Sequence, residues 1–573
     1  MGDASTRVGA SPAATAALDR FFDVFYRQRP VSATFTGLHG HDGVLPDWSA
    51  EGLARAADEM RTLRRELDEA GRVPDHEITE FPAQVDLALA DGALDIALAE
   101  HESGHFVHRN PALWTGEAIF GVLSLVTRDF APVAQRLAHA RARLEAIPAF
   151  LAEAERTIAE APPAWTARAT QECDAAAILF DCTLPAWVSE QIAHGAAEVV
   201  DGDAWAHAAS RAGTAFREFA SSCARGAEAP AARQSAGPEL LELLLRRGHF
   251  VTTPIPDLLR EATAALDEAV ARLDMLSRPH GGWPAVQALL AAEHPTAAGY
   301  LARFDEKWRA CWQAALDYKL VTWPMAPLHY VNIPEHTREA APSLYYLHYR
   351  SPAPFDPYGM FDYVVPPLDG LEGDALEARL RVVNDSVITL NHVVHHGAIG
   401  HHVQNHHAYK GRSRVGKVAA VDTAYRIAMF SGGSLAEGWA CYVCDLMEEI
   451  GFLTPLERVA QQHTRVRIAA RAVVDLAMHA AGLTVADAAE LYVERAHMSA
   501  AAARVEAVRN SMFPGTAVMY WLGTRGIHQL RAEIWSRQGG AFSMQAFHNR
   551  VLSHGAIPVA LISKLMLAEE AAS

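Results

Sequence analysis

Apolar residues recur at three- and four-residue spacing along most of this chain, with Ala, Leu, Glu and Arg filling the segments between. That period is the signature of helices with one buried face, and these residues are good helix formers. It predicts helices over 133–161, 240–246, 256–277 and 465–480. Strict alternation is rare. It is clearest between residues 328 and 365, where Tyr330-Val331-Asn332-Ile333-Pro334 and Tyr345-Tyr346-Leu347-His348-Tyr349 replace the Ala and Leu background. A small sheet or an extended lid is expected there. The fold class is therefore mainly α, a large multi-helical body. No long period repeats, which argues against a solenoid.

Two stretches interrupt the helical pattern. Gly226 to Pro238 is rich in Ala, Gly and Pro, and Ser351 to Asp374 is rich in Pro, Gly and Asp. Neither reads as a flexible tether. The expected organisation is an N-terminal helical region, 1–230, and a second helical region, 231–573, as lobes of one continuous body.

Composition narrows the partners. The 573 residues carry 50 Lys plus Arg against 68 Asp plus Glu, a net charge of −18. Such a field repels phosphate, so nucleic acid is not an expected partner. No run approaches the ~18 apolar residues of a membrane span, and Met1 to Ala17 lacks the hydrophobic run of a secretory signal. Six cysteines in this length are no disulfide framework. The expected location is cytoplasmic, with no membrane partner. There is no Gly-rich phosphate loop and no Gly-x-Ser-x-Gly elbow, so nucleotide and serine-esterase chemistry lack support.

Histidine changes the picture. The chain has 28, and seven lie between His392 and His407. Neutral imidazole is the commonest transition-metal ligand. His392 with His395 or His396, and His402 with His406, are spaced to grip one ion from one helix face. His395 and His401 face different ways on a straight helix, so they converge only if the helix is distorted; Gly397 and Gly400 allow that. Further on comes Ser434-Leu435-Ala436-Glu437-Gly438-Trp439-Ala440-Cys441-Tyr442-Val443-Cys444. Ser434 and Glu437 have capping-box spacing. The alternative is that Glu437 is a carboxylate ligand, since zinc hydrolases commonly combine two His with one Glu. Cys441 and Cys444 read as small buried thiols, with redox or metal roles as the alternative.

Together these strings resemble the bacterial domain-of-unknown-function number 885 family, a group regarded as zinc metallopeptidases of gluzincin-like, mostly helical fold. Its H-E-x-x-P-G-H-H-[LV]-Q motif corresponds to His395 through Gln404, and its E-G-W-A-x-Y motif to Glu437 through Tyr442. Pro30 through Gly37, Arg471 through His479, Pro514 through Gly523 and Phe547 through Pro558 resemble further family motifs in the same order. The resemblance implies His395, His401 and Glu437 as metal ligands, with His402 the alternative to His401. His392 and Cys444 are possible additional ligands. It implies zinc as the metal, iron or another transition metal being alternatives. Catalytic roles fall to Tyr520, His548 and the residue after the first histidine.

That residue is the main departure. Where the family has a Glu, the expected general base, this chain has His396. Ile399 replaces the family's Pro, Cys444 a Glu, and Gly526, beside Arg525, a Lys. Three functions follow. The first is a metal enzyme of peptidase-like fold repurposed for a small-molecule reaction: a lyase, an isomerase, a non-peptide hydrolase or an oxygen-dependent step. The second is a zinc peptidase or amidase using metal-activated water, with Tyr520 donating to the oxyanion. The third is a non-catalytic pseudoenzyme or binding protein. The expected partner is a small molecule or peptide.

Overall fold

The computed structural model describes residues 11–196, 200–225, 231–324, 326–338, 353–356, 361–421 and 429–572. The fold is mainly α. In the N-terminal half, helices α1 (Ala83–Glu102), α2 (Pro111–Val126) and α3 (Val133–Thr157) lie at the centre. Every residue of α2 is buried, so this helix is apolar on all sides and is the core of that half. Arg143 of α3 is buried beside it. Its guanidinium donates to the carbonyls of Gly121, Val44 and Pro30 and to the Thr34 hydroxyl at 2.6–3.2 Å, replacing the water it loses.

The helical period places its elements well. The segment expected over 133–161 is α3, and those over 256–277 and 465–480 fall in α4 (Ile255–Ser277) and α8 (Pro455–Ala480). Helix α5 (Tyr300–Asp317) leads to the two strands, β1 (Leu328–Val331) and β2 (Phe361–Val364). They pair in parallel, with Leu328 opposite Phe361 and Tyr330 opposite Tyr363. The expected strand at Tyr345–Tyr349 lies outside the described residues.

After β2 come the π-helical segment Ile388–Gly397, α6 (His401–Tyr409), α7 (Gly433–Glu449), α9 (Ala500–Met512), α10 (Val518–Gln538) and α11 (Met544–Ser553). Helix α4 packs along α8, and α7 along α10. One apolar cluster runs from Ala14 to Met566. A second joins α4, α8, α9 and α10 next to the histidines. The α7–α10 crossing is very close, because Gly438 and Gly523 face each other. A Cβ on Gly438 would collide with the Gly523 backbone, and one on Gly523 with the Ser434 carbonyl. Among the described residues, no helix is long and apolar enough to cross a membrane.

The capping-box reading of Glu437 fails. Helix α7 begins at Gly433, capped by Gly432, after a 3-10 turn at Phe430–Gly432. Ser434 is already inside the helix, and its hydroxyl accepts from the Val559 amide at 3.2 Å. A true capping box opens α8, where Thr454 and Glu457 bond reciprocally.

Candidate metal centre

His395 and His401 are brought together by a break in the helix, not by helical spacing. The segment before the break is wound as a π-helix, a form frequent at functional sites. It ends at Gly397, and α6 starts at His401. Ala398 and Gly400 turn the chain with ψ of −114° and −120°. Neither Gly397 nor Gly400 has room for a Cβ: it would strike the Tyr330 hydroxyl in one case and the His395 carbonyl in the other. The turn's carbonyls are satisfied from outside. Trp308 donates its indole N–H to Gly397 O at 2.7 Å, and Trp439 donates to Ile399 O at 2.9 Å. Trp439 follows Glu437 by two residues, so the helix that carries the carboxylate also anchors the histidine turn.

Across the turn, Glu437 Oε2 lies 3.4 Å from His395 Nε2 and 3.6 Å from His401 Nε2. It is buried and has no hydrogen-bond partner among the described residues. Ligand atoms bound tetrahedrally at about 2.0–2.1 Å stand about 3.3–3.4 Å apart. The observed spacings match that demand and are longer than a good hydrogen bond. The donor set therefore fits a transition ion.

His396 also turns toward this point. One nitrogen each from His395, His396 and His401 lie within 4.8 Å of one another. The Nδ1–H of His396 donates to Asn391 O at 2.7 Å, which leaves Nε2 with its lone pair. Burial holds His395 below the ordinary imidazole range. His396 is held well below it by burial and then by the neighbouring His395 and His401. Burial alone would raise the Glu437 carboxyl, but the facing His401 and His395 outweigh it and hold it well below the usual range.

Of the other expected site residues, His392, Cys444 and Tyr520 line the same cavity, and His402 and His548 do not. His402 is buried with Nε2 against the Ala326 carbonyl at 2.9 Å and its ring edge-on to Phe361, so it is not an alternative to His401. His548 is fully buried between Trp439, Tyr442 and Phe547 and does not line the site cavity. Its Nδ1 faces Leu320 O at 2.6 Å and its Nε2 the Tyr442 hydroxyl at 2.8 Å, so both nitrogens are engaged structurally. His392 lines the cavity but is hydrogen-bonded through Nδ1 to the Tyr363 hydroxyl at 2.6 Å, outside the trio. Cys444 donates to Ala440 O and Leu390 O, and burial pushes its thiol well up, so it is a packed thiol. Cys441 Sγ lies 4.0 Å from His395 Nδ1 and backs that ring. Tyr520 does line the cavity, and burial keeps its phenol protonated.

The cavity holds about 780 Å³, within the size range of small-molecule sites. Part of its lining went unread in the sequence. Arg467 and Arg471 of α8 and Arg509 of α9 line it. Arg471 makes a two-bond fork with Glu506, at 2.8 and 3.0 Å, and lies over the Tyr520 ring. Burial would raise the Glu506 carboxyl, but Arg471 and Arg509 outweigh it and bring it to about 2. The available signal was the four-residue spacing of Arg467 and Arg471, the second of which opens a quoted motif.

No curated protein matches this chain. A solved structure from Shewanella oneidensis, described as a candidate lipoprotein of unknown function, is similar at 22% identity with a TM-score of 0.75. The match covers 97% of this chain and 99% of that one. A candidate lipoprotein from Colwellia psychrerythraea is similar at 14% identity and TM-score 0.69, over 98% of this chain and 100% of that one. These likenesses establish the fold. The lipoprotein description belongs to those two chains, and it overturns the cytoplasmic expectation drawn from the N-terminus and the cysteines. The family model for bacterial proteins of unknown function DUF885 matches residues 30–566, nearly the whole length, and this chain belongs to that family.

Proposed function

We propose that this chain is a metal-dependent enzyme acting on a small molecule, with an ion held by His395, His396, His401 and Glu437. The observation that carries the proposal is the convergence of one nitrogen each from His395, His396 and His401 within 4.8 Å, with Glu437 Oε2 at 3.4 Å and 3.6 Å from His395 and His401. A residue that ligates cannot also be the free base of a peptidase. Glu437 is the one carboxylate among the described residues lining the cavity, and it faces the two flanking histidines. Ordinary peptide hydrolysis therefore lacks its usual carboxylate base. An ion in this nitrogen-rich set, with zinc or iron the best suited, supplies Lewis acidity toward a substrate oxygen. The chain's own groups do the rest. Tyr520 stays protonated and offers an O–H to developing negative charge, and Arg471 over its ring holds it in place. Lyase, isomerase and non-peptide hydrolase reactions all use such a pair of features. A second reading, a zinc amidase, is favoured by the same Tyr520, since an oxyanion donor is what acyl transfer needs.

Elemental analysis of protein purified without an affinity tag tests the ligand set. About one ion per chain is expected, in the manner of a preformed site. His395→Ala/Glu437→Ala should empty it, and His396→Ala should lower affinity by at least about tenfold. Wild-type metal affinity in His396→Ala would remove His396 from the ligand set and with it the argument against peptidase chemistry. His396→Glu then separates the two readings: gain of hydrolysis on a peptide panel favours the amidase.

A further inference from the structure

A second cavity shares none of the residues of the histidine turn. It holds about 260 Å³ and is lined from α2, from α9 and from the helix Pro163–Ile178. Small and apolar side chains make the space. Helix α2 contributes Ala112 and Gly116, the helix Pro163–Ile178 contributes Ala164 and Ala167, and α9 contributes Val508 and Met512. Trp165 is fully buried and donates its indole N–H to the Ser511 hydroxyl at 2.8 Å, which holds its helix to the end of α9. No buried polar side-chain atom on this lining lacks a partner among the described residues. The buried Glu172 takes Arg168 Nε at 2.7 Å on one oxygen and the Thr115 hydroxyl on the other, and Arg509 lies 3.9 Å from Glu506. Arg504 differs. It lines the cavity, is exposed, and makes no hydrogen bond or ion pair among the described residues.

These features select an occupant. Water against apolar walls finds few hydrogen-bond partners, so an apolar body displaces it favourably. A dry apolar cavity of ~150 Å³ holds a benzene ring, so 260 Å³ has room for a ring with a short chain. One unpaired guanidinium matches one negative charge, and its fork matches the two oxygens of a carboxylate. We propose that this cavity is a second ligand site that binds a small monocarboxylic acid, with its aryl or compact alkyl body among the apolar side chains and its carboxylate at Arg504. The site is independent of the metal centre. Of its lining among the described residues, only Arg509 and Phe513 also line the metal cavity.

Calorimetric titration of the full chain, as purified, with 3-phenylpropionate, its neutral amide, phenylacetate and propionate tests the site. One 3-phenylpropionate per chain should bind, with a Kd below about 1 mM. Phenylacetate, one methylene shorter, should bind about fourfold more weakly, and propionate, which lacks the ring, should not bind over the same range. The amide should bind about two- to fivefold more weakly than the acid, the worth of an exposed ion pair. Only the acid should weaken as NaCl rises from about 0.05 to about 0.5 M. Arg504→Gln should bring the acid to the level of the amide with circular dichroism unchanged. Ala167→Trp, at an exposed position, and Ala164→Trp should fill the cavity and abolish binding. The salt arm needs no variant, so a folding failure leaves the test intact. In His395→Ala/Glu437→Ala the acid should bind as in the wild type; its loss there would make the metal centre the receptor and overturn the proposal. Wild-type affinity in both tryptophan variants, equal binding of acid and amide, or no saturable binding of 3-phenylpropionate with a Kd below about 1 mM would also overturn it.

Discussion

Each histidine near the turn is sorted by what its second nitrogen touches. His396 spends Nδ1 on a backbone carbonyl and has a nitrogen within 4.8 Å of those of His395 and His401, whereas His548 spends both nitrogens on Leu320 and Tyr442. Removing a fully engaged buried imidazole leaves the Leu320 carbonyl unpaired and a cavity behind, while the Tyr442 hydroxyl keeps its bond from Arg531. His548→Ala is therefore expected to cost about 2–4 kcal/mol in denaturant unfolding and to leave metal content unchanged. Cys444 is bonded only to backbone carbonyls, so Cys444→Ala should likewise keep its full complement of metal. Metal loss in either folded variant would return that residue to the ligand set.

The elements that carry the ligands are locked by glycine contacts. Helix α7 brings Glu437 to the histidine turn only because Gly438 lets α10 approach to backbone contact at Gly523. A methyl group there meets backbone, which cannot move aside as a flexible side chain would. Gly438→Ala should destabilise the protein by about 3 kcal/mol or more, the upper range for overpacking. It should also weaken metal binding, because it displaces both Glu437 and the Trp439 that anchors Ile399. A thermal midpoint within a degree or two of wild type would refute this account of the E-G-W-A helix. The π-helical winding before Gly397 belongs to the same scale: it carries His395 and His396 to the end of the segment, where the turn begins.

At the scale of the whole molecule, distant parts of the chain are tied by polar groups as well as by the apolar core. His39, near the N-terminus, bridges Asp42 at 2.8 Å and Asp356 at 2.7 Å, and its ring stacks on Phe130. Burial would lower this imidazole's pKa; the hydrogen bonds and charges of Asp356 and Asp42 outweigh burial and raise it to about 9. A raised folded pKa adds stability that is fully present below the unfolded value of about 6.5 and is lost as pH rises through about 9. The thermal midpoint of the wild type should therefore fall between about pH 6.5 and pH 9 relative to His39→Gln, whose profile lacks this component. Parallel profiles for the two proteins across that window would show that the bridge contributes nothing.

Helical periodicity and the family motifs were legible in the sequence, because spacing along one segment is a local property, and it was the resemblance that named His395, His401 and Glu437. The break that makes His395 and His401 converge was legible too, in Gly397 and Gly400. Orientation was not. Whether His396 faces the centre depends on a π-helical turn and on Asn391. Whether His402 and His548 do depends on the carbonyls of Ala326 and Leu320, which lie more than seventy and two hundred residues away in sequence. Glu437 matched a capping box by spacing, yet the helix starts earlier, because Gly432 and Gly433 let a 3-10 turn run into it. Arg467, Arg471 and Arg509 reach one cavity lining only because α8 and α9 pack together. Local chemistry settled which residue types the chain could offer a metal; packing between remote segments decided which of them meet.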